Sequence, residues 1–101
     1  LVFAVVIAAP LGEEVVFRGF MLRNFTPSLG PVAAIVISSA VWSVIHLQYD
    51  WYGIITIFLG GLLLGAIYHR TSSLYLCIAL HMFWNLIATA EVLMADSFLP
   101  K

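Results

Sequence analysis

Charged side chains are scarce in this sequence. They make up 9% of its 101 residues, whereas 63% of the residues are hydrophobic; a soluble domain carries about 25% charged residues. So few charges could not cover the surface of a water-soluble domain, and the composition therefore indicates a membrane protein. The net charge of −1 also leaves no electrostatic basis for binding nucleic acid.

Cysteine is nearly absent too. Cys77 is the single one, which excludes a disulfide within the chain. The first segment lacks both the basic start and the small-residue cleavage site of a signal peptide. Because the sequence begins at Leu1 inside an apolar run, we expect residues 1–101 to be one domain of a longer membrane protein, with further spans upstream.

Four apolar stretches approach the roughly 20 residues that a helix needs to cross a bilayer. They run over residues 1–22, 31–47, 51–68 and 74–94. The connections between them are short, so neighbouring helices should be antiparallel. The predicted fold is all-α, a polytopic membrane bundle with four transmembrane helices.

Prolines, capping residues and glycines refine the predicted helices. Pro31 suits the start of a helix, and Asp50 and the Thr71–Ser73 stretch are candidate N-caps. Pro10 should kink or restart the first helix, because a proline inside a helix removes one hydrogen bond. Gly61 and Gly65 form a small-xxx-small pair that favours close helix packing.

The distribution of charge in the loops indicates an orientation. Arg23 and the His69–Arg70 pair fall on one side, whereas Asp50, Asp96 and Lys101 fall on the other. The positive-inside rule makes the first side cytoplasmic.

Three charges interrupt the first apolar segment, in the stretch GEEVVFRGF. An ionised residue at membrane depth costs about 2.5–3.5 kcal/mol on insertion scales, so such residues usually pair. Glu14 and Arg18 are spaced i, i+4 and can form an ion pair. Glu13 has no partner on its own helix, and a poorly solvated carboxylate is a better proton acceptor. The alternative is that all three end the span by snorkelling to the interface.

Two further helices each carry a polar cluster. The second has Trp42 and His46 in WSVIH, and the fourth has His81 and Asn85 in HMFWN, spaced i, i+4 on one face. Taken alone, His46 could be an interfacial residue and Trp42 a packing residue. His81 and Asn85 could simply form an interhelical hydrogen bond.

Together the three clusters fit hydrolysis. A carboxylate and an imidazole can remove a proton from water, while other donors stabilise a developing oxyanion. Two histidines and a glutamate are also a zinc ligand set, so Glu13, His46 and His81 are candidate metal ligands. No HExxH motif is present, and the sequence leaves both zinc and a metal-free site open.

The shared site raises a geometric problem. At 1.5 Å rise per residue, His46 lies roughly 20 Å from the cytoplasmic end of its helix, but His81 lies only roughly 10 Å from that end. Helix tilt, the break at Pro10 or a loop that dips inward must bring them together.

In order and spacing, the three motifs resemble the type II CAAX prenyl endopeptidase family of intramembrane proteases, also called Abi or CPBP. The motifs are EExxxR at 13–18, aromatic-xxx-His at 42–46 and HxxxN at 81–85. Tryptophan stands at position 42, where the family usually has phenylalanine. The resemblance covers nearly the whole chain.

The resemblance implies a membrane-embedded endopeptidase that acts on a peptide or lipidated protein substrate, with membrane lipid around it. Glu13 and His46 would activate water, His81 and Asn85 would stabilise the oxyanion, and Glu14 and Arg18 would orient the site. The predicted catalytic residues are Glu13, Glu14, His46, His81 and Asn85, supported by Arg18 and Trp42.

Two other functions fit the same polar cavity. One is a non-catalytic membrane module for binding or immunity, and the other is a proton pathway. The expected location is a multi-pass position in a bacterial plasma membrane.

Overall fold

The computed structural model describes residues 1–100, and Lys101, which entered the orientation prediction, lies outside them. These residues form helices without any strand. The all-α prediction is therefore confirmed.

The N-terminal helical segment, residues 4–29, is built from alternating π and α pieces. They are the π-helix Ala4–Ala8, α1 (Ala9–Glu14), the π-helix Val15–Leu22 and α2 (Arg23–Leu29). The backbone stays helical through every junction, so the predicted loop from Arg23 to Gly30 is wrong. Only Gly30, with φ of 82°, leaves the helical region and ends the segment.

Pro10 does not break this segment. It lies in the first turn of α1, directly after a π-helical turn, and its surroundings keep helical dihedral angles. In a first turn the missing N–H has no α-helical partner to lose. The segment changes from π-helical to α-helical spacing just before Pro10 and does not show the predicted kink.

The remaining helices are α3 (Pro31–Val44), α4 (Trp51–Thr71) and α5 (Leu74–Ser97). Among residues 1–100, only α4 and α5 are long and apolar enough to cross a membrane, with mean hydropathy 1.8 and 1.6. The prediction of four transmembrane helices is therefore corrected to two candidate spans. At 14 residues α3 reaches only about 21 Å, and the N-terminal segment is divided into short pieces.

The predicted caps are present. Asp50 Oδ1 accepts a hydrogen bond from the Gly53 amide at 2.9 Å, and Ser73 Oγ accepts one from the Leu76 amide at 3.1 Å. Ser72, in the left-handed region with φ of 52°, reverses the chain between α4 and α5. These contacts fix where both long helices begin.

Close packing of α3 on α4 depends on two glycines. A Cβ at Gly61 would lie 2.9 Å from Ser39 Cβ, and one at Gly65 would lie 2.9 Å from Ile35 Cγ2. The small-residue prediction is confirmed, since any larger side chain would separate the helices. The buried core beside this contact consists of Phe17, Trp42 and Leu64, with Met21, Ile57 and Trp84 against it.

Candidate active site

His46 lies in the loop that follows α3, not on the helix. Its amide donates to the Ser43 carbonyl at 3.1 Å, and its carbonyl accepts from the Tyr49 amide at 3.2 Å. The prediction that the second helix extends to residue 47 is therefore wrong. Because α3 ends at Val44, the chain turns back there and brings His46 to the other motif residues. This turn resolves the mismatch in depth between His46 and His81 that continuous helices would have produced.

Three side chains converge on the carboxylate of Glu13. Oε1 accepts a hydrogen bond from Trp42 Nε1 at 2.9 Å and lies 3.1 Å from His46 Nε2. Oε2 lies 3.9 Å from His81 Nε2. The Glu13 side chain remains 23% exposed, so the carboxylate is reachable from the adjoining cavity.

A second carboxylate, Glu14, lies completely buried beneath this cluster. Arg18 Nη1 contacts Glu14 Oε2 at 3.1 Å, which is the ion pair that their spacing predicts. His81 Nδ1 lies 2.7 Å from the same oxygen, and Arg18 Nη2 donates to the Gly61 carbonyl at 3.0 Å. The guanidinium also lies 4.7 Å from the ring centre of Trp42. This network ties α1 to α4 and α5.

The hydrogen bonds assign the same proton position to both histidines. His46 Nδ1 lies 2.6 Å from the Trp42 carbonyl oxygen, which can only accept, so Nδ1 carries a proton. His81 Nδ1 likewise donates to Glu14 Oε2, an oxygen that also accepts a hydrogen bond from Arg18 Nη1. Each Nε2 is consequently directed at Glu13. At 3.1 Å, His46 Nε2 and Glu13 Oε1 form a hydrogen bond when the two groups share one proton.

These residues open onto a cavity of about 240 Å³ between the N-terminal part of α4 and the middle of α5. Sequence reasoning missed several of its lining residues. Tyr49 stacks on His46 with ring centres 6.1 Å apart, and Trp84 lies 6.2 Å from the His81 ring. The i, i+3 spacing from His81 was an available signal for Trp84. No pattern singled out the α4 residues of the lining, which are Tyr52, Gly53, Thr56 and Ile57.

Asn85 lines the same cavity, but its amide is already engaged. Nδ2 donates to the Val5 carbonyl at 2.9 Å, in the N-terminal π-helix. An amide nitrogen carries two N–H groups, so one donor remains for another acceptor. Asn85 is thus near the Glu13 cluster without contacting it.

The side chains around Glu13 bear on the alternative that the site holds a metal ion. In residues 1–100, no three His, Cys, Asp or Glu side chains form a group that could hold a metal ion. Glu13 Oε1 already accepts from the Trp42 indole, and Glu14 is engaged by Arg18 and His81. The arrangement does not fit a three-ligand ion site.

Comparison with known proteins places the chain in a class of peptidases that are integral to membranes. The matching family model, described as type II CAAX prenyl endopeptidase Rce1-like, covers residues 1–87, and the chain belongs to this family. All three motifs fall inside the matched range, and the match does not favour a non-catalytic module. No curated protein and no solved structure matched the chain significantly.

Proposed function

We propose that the protein is an intramembrane endopeptidase in which Glu13 and His46 activate the attacking water. The observation that carries this proposal is the convergence of two imidazole Nε2 atoms on one partly exposed carboxylate. Both histidines are oriented by hydrogen bonds at Nδ1, so their free nitrogens already face the reaction space.

The first step is attack by water from the cavity. Glu13 accepts a proton from the water, and His46 Nε2 shares that proton across the 3.1 Å contact. The hydroxide oxygen bonds to the scissile carbonyl carbon, and the carbonyl oxygen becomes an oxyanion. Transfer of the stored proton to the amide nitrogen then allows the C–N bond to break, which yields a carboxylic acid and an amine.

Oxyanion stabilisation is assigned to His81 and Asn85. The second N–H of Asn85 Nδ2 is available for this contact. His81 donates from Nε2 only as an imidazolium, since its Nδ1–H is held by Glu14. Glu14, paired with Arg18, is well placed to stabilise that positive charge. Trp42 fixes the Glu13 carboxylate through its indole N–H.

The family and the lining of the cavity support a proposal for the substrate class. A cavity with one polar wall and aromatic walls, between two apolar helices, suits a peptide bond in a membrane-associated protein. We propose that such substrates include prenylated CAAX-type proteins. A multi-pass arrangement in a bacterial plasma membrane stays a prediction.

The test is cleavage of a fluorogenic prenylated CAAX peptide by the purified protein in nanodiscs. Glu13→Gln should lower kcat by about 10²–10⁴-fold, the usual contribution of a general base. The matched control is Glu91→Gln, the same substitution at an exposed glutamate that lines no cavity described above.

Equal activity of Glu13→Gln and wild type would overturn the mechanism. If the wild-type protein cleaves neither the prenylated peptide nor unmodified membrane peptides, the proposed activity itself is wrong.

A further inference from the structure

A second cavity, of about 520 Å³, lies at the opposite end of the bundle from the Asp50 loop. It is formed where α2 begins and α4 ends, and it shares no lining residue with the cavity at Glu13. Its volume is in the usual range for a small-molecule site. The lining residues are Leu22, Arg23, Thr26, Pro27, Tyr68, His69 and Ser72.

The charged groups in this lining are all basic. Arg23 carries a positive charge, His69 adds an imidazole that can form hydrogen bonds, and no acidic side chain lines the cavity. Within residues 1–100 the ion pairs involve only the residues around Glu13 and Glu14, so neither Arg23 nor His69 is paired with a carboxylate. Arg70 lies next to His69 but does not line the cavity.

The C-terminal end of α4 carries partial negative charge, which opposes anion binding, but local hydrogen bonds satisfy its carbonyls. The Tyr68 carbonyl accepts from the Ser72 amide at 2.7 Å, and the Ile67 carbonyl accepts from Thr71 Oγ1 at 2.7 Å. The hydroxyls of Tyr68 and Ser72 form no hydrogen bond with other parts of the described chain, so they remain free to donate.

We propose that this cavity binds a phosphate group, and that the ligand is the headgroup of an anionic phospholipid. Arg23 supplies charge-assisted hydrogen bonds to phosphate oxygens, and the hydroxyls of Tyr68 and Ser72 supply neutral ones. The cavity lies at the end of α4, one of the two helices that can span a bilayer. Headgroup phosphates are found at that depth, and basic pockets between membrane helices bind such headgroups.

The experiment measures lipid retention by native mass spectrometry of the purified protein. Phosphatidylglycerol and phosphatidylcholine are compared for the wild type and for Arg23→Gln and Arg70→Gln. Arg23→Gln should weaken phosphatidylglycerol binding by about tenfold, the loss of one hydrogen bond between charged groups. Arg70→Gln removes the same charge outside the cavity and should change binding by less than about twofold.

Two results would overturn the proposal. One is equal retention of phosphatidylglycerol and phosphatidylcholine by the wild type. The other is an equal loss in both arginine variants, which indicates diffuse surface charge instead of a site. Competition with glycerol phosphate distinguishes a lipid headgroup from a free phosphate compound. If glycerol phosphate displaces the lipid only at far higher concentrations, the headgroup assignment is supported. If glycerol phosphate binds as tightly as the lipid, the phosphate site is supported but the lipid assignment is overturned.

Discussion

Trp42 holds Glu13 and His46 at the same time, through two different groups. Its indole Nε1 donates to Glu13 Oε1 at 2.9 Å, and its backbone carbonyl accepts from His46 Nδ1 at 2.6 Å. The ring also packs edge-on against His46 and His81, with centre distances of 5.7 and 5.3 Å. One residue therefore sets the relative positions of the groups that we assign to water activation.

Trp42→Phe should lower kcat by about tenfold with little change in KM. The phenyl ring keeps the aromatic packing and the backbone carbonyl, but Glu13 loses a hydrogen bond to a charged group, which contributes about 1.5–3 kcal/mol. Steady-state kinetics on the prenylated peptide measures the change, and a thermal melt checks that the variant is folded. Unchanged kcat would mean that the indole N–H does not position Glu13.

Arg18→Met should destabilise the protein more than the double variant Glu14→Gln with Arg18→Met. Arg18 and Glu14 have side-chain exposures of 1% and 0%, and removing one partner leaves a buried charge uncompensated, at about 3–5 kcal/mol. In the double variant the remaining amide is neutral and still accepts from His81. Denaturation in detergent compares the two; equal stability would show that Glu14 finds another partner.

The sequence indicated contacts between near neighbours in the chain better than it indicated the ends of the helices. The i, i+4 spacing of Glu14 and Arg18 was enough to indicate their ion pair, because both residues lie on one helix. Asp50 and Ser73 were readable as caps for the same reason: each contact involves neighbours in the chain.

Features that depend on residues far apart in the chain could not be predicted from the sequence. That His46 leaves the helix depends on where α3 ends. Neither glycine nor proline lies next to Val44, so no pattern marked the boundary. The π-helical turns beside Glu13 likewise carry no sequence signature. Residues 23–29 are helical although Pro27 lies among them. The indole bond from Trp42 to Glu13 joins residues 29 positions apart, which only packing decides.

Gly60→Ala should reduce both stability and activity, whereas Gly12→Ala should change neither by much. A Cβ at Gly60 would collide with the six-membered ring of Trp84, a wall of the active-site cavity, but a Cβ at Gly12 meets nothing within 4 Å. Overpacking of this kind costs about 1–3 kcal/mol. Thermal melts measure stability and peptide cleavage measures activity. If Gly60→Ala is as stable and as active as Gly12→Ala, the Trp84 ring does not lie against Gly60.

Treatment with a chelator should leave peptide cleavage within about twofold of the untreated enzyme. The reason is that no group of three His, Cys, Asp or Glu side chains in residues 1–100 could hold a metal ion, and the proposed proton transfer rests on Glu13 and His46. Loss of activity on chelation, restored by zinc, would instead indicate that Glu13, His46 and His81 close around an ion during turnover. Metal analysis of the purified protein accompanies the assay.

Asn85→Ala should lower kcat by about 10²–10³-fold, as expected for loss of one oxyanion donor. The same substitution removes the hydrogen bond to the Val5 carbonyl, so a structural effect has to be separated from a catalytic one. The partner of Asn85 is the backbone carbonyl of Val5, so a substitution at Val5 would not remove it. Asn85→Gln keeps the side-chain amide but moves it by one methylene. If oxyanion binding is the role, both variants lose kcat while the melting temperature and KM stay near those of wild type. A fall in melting temperature that accounts for the lost activity would assign Asn85 to anchoring the N-terminal helical segment.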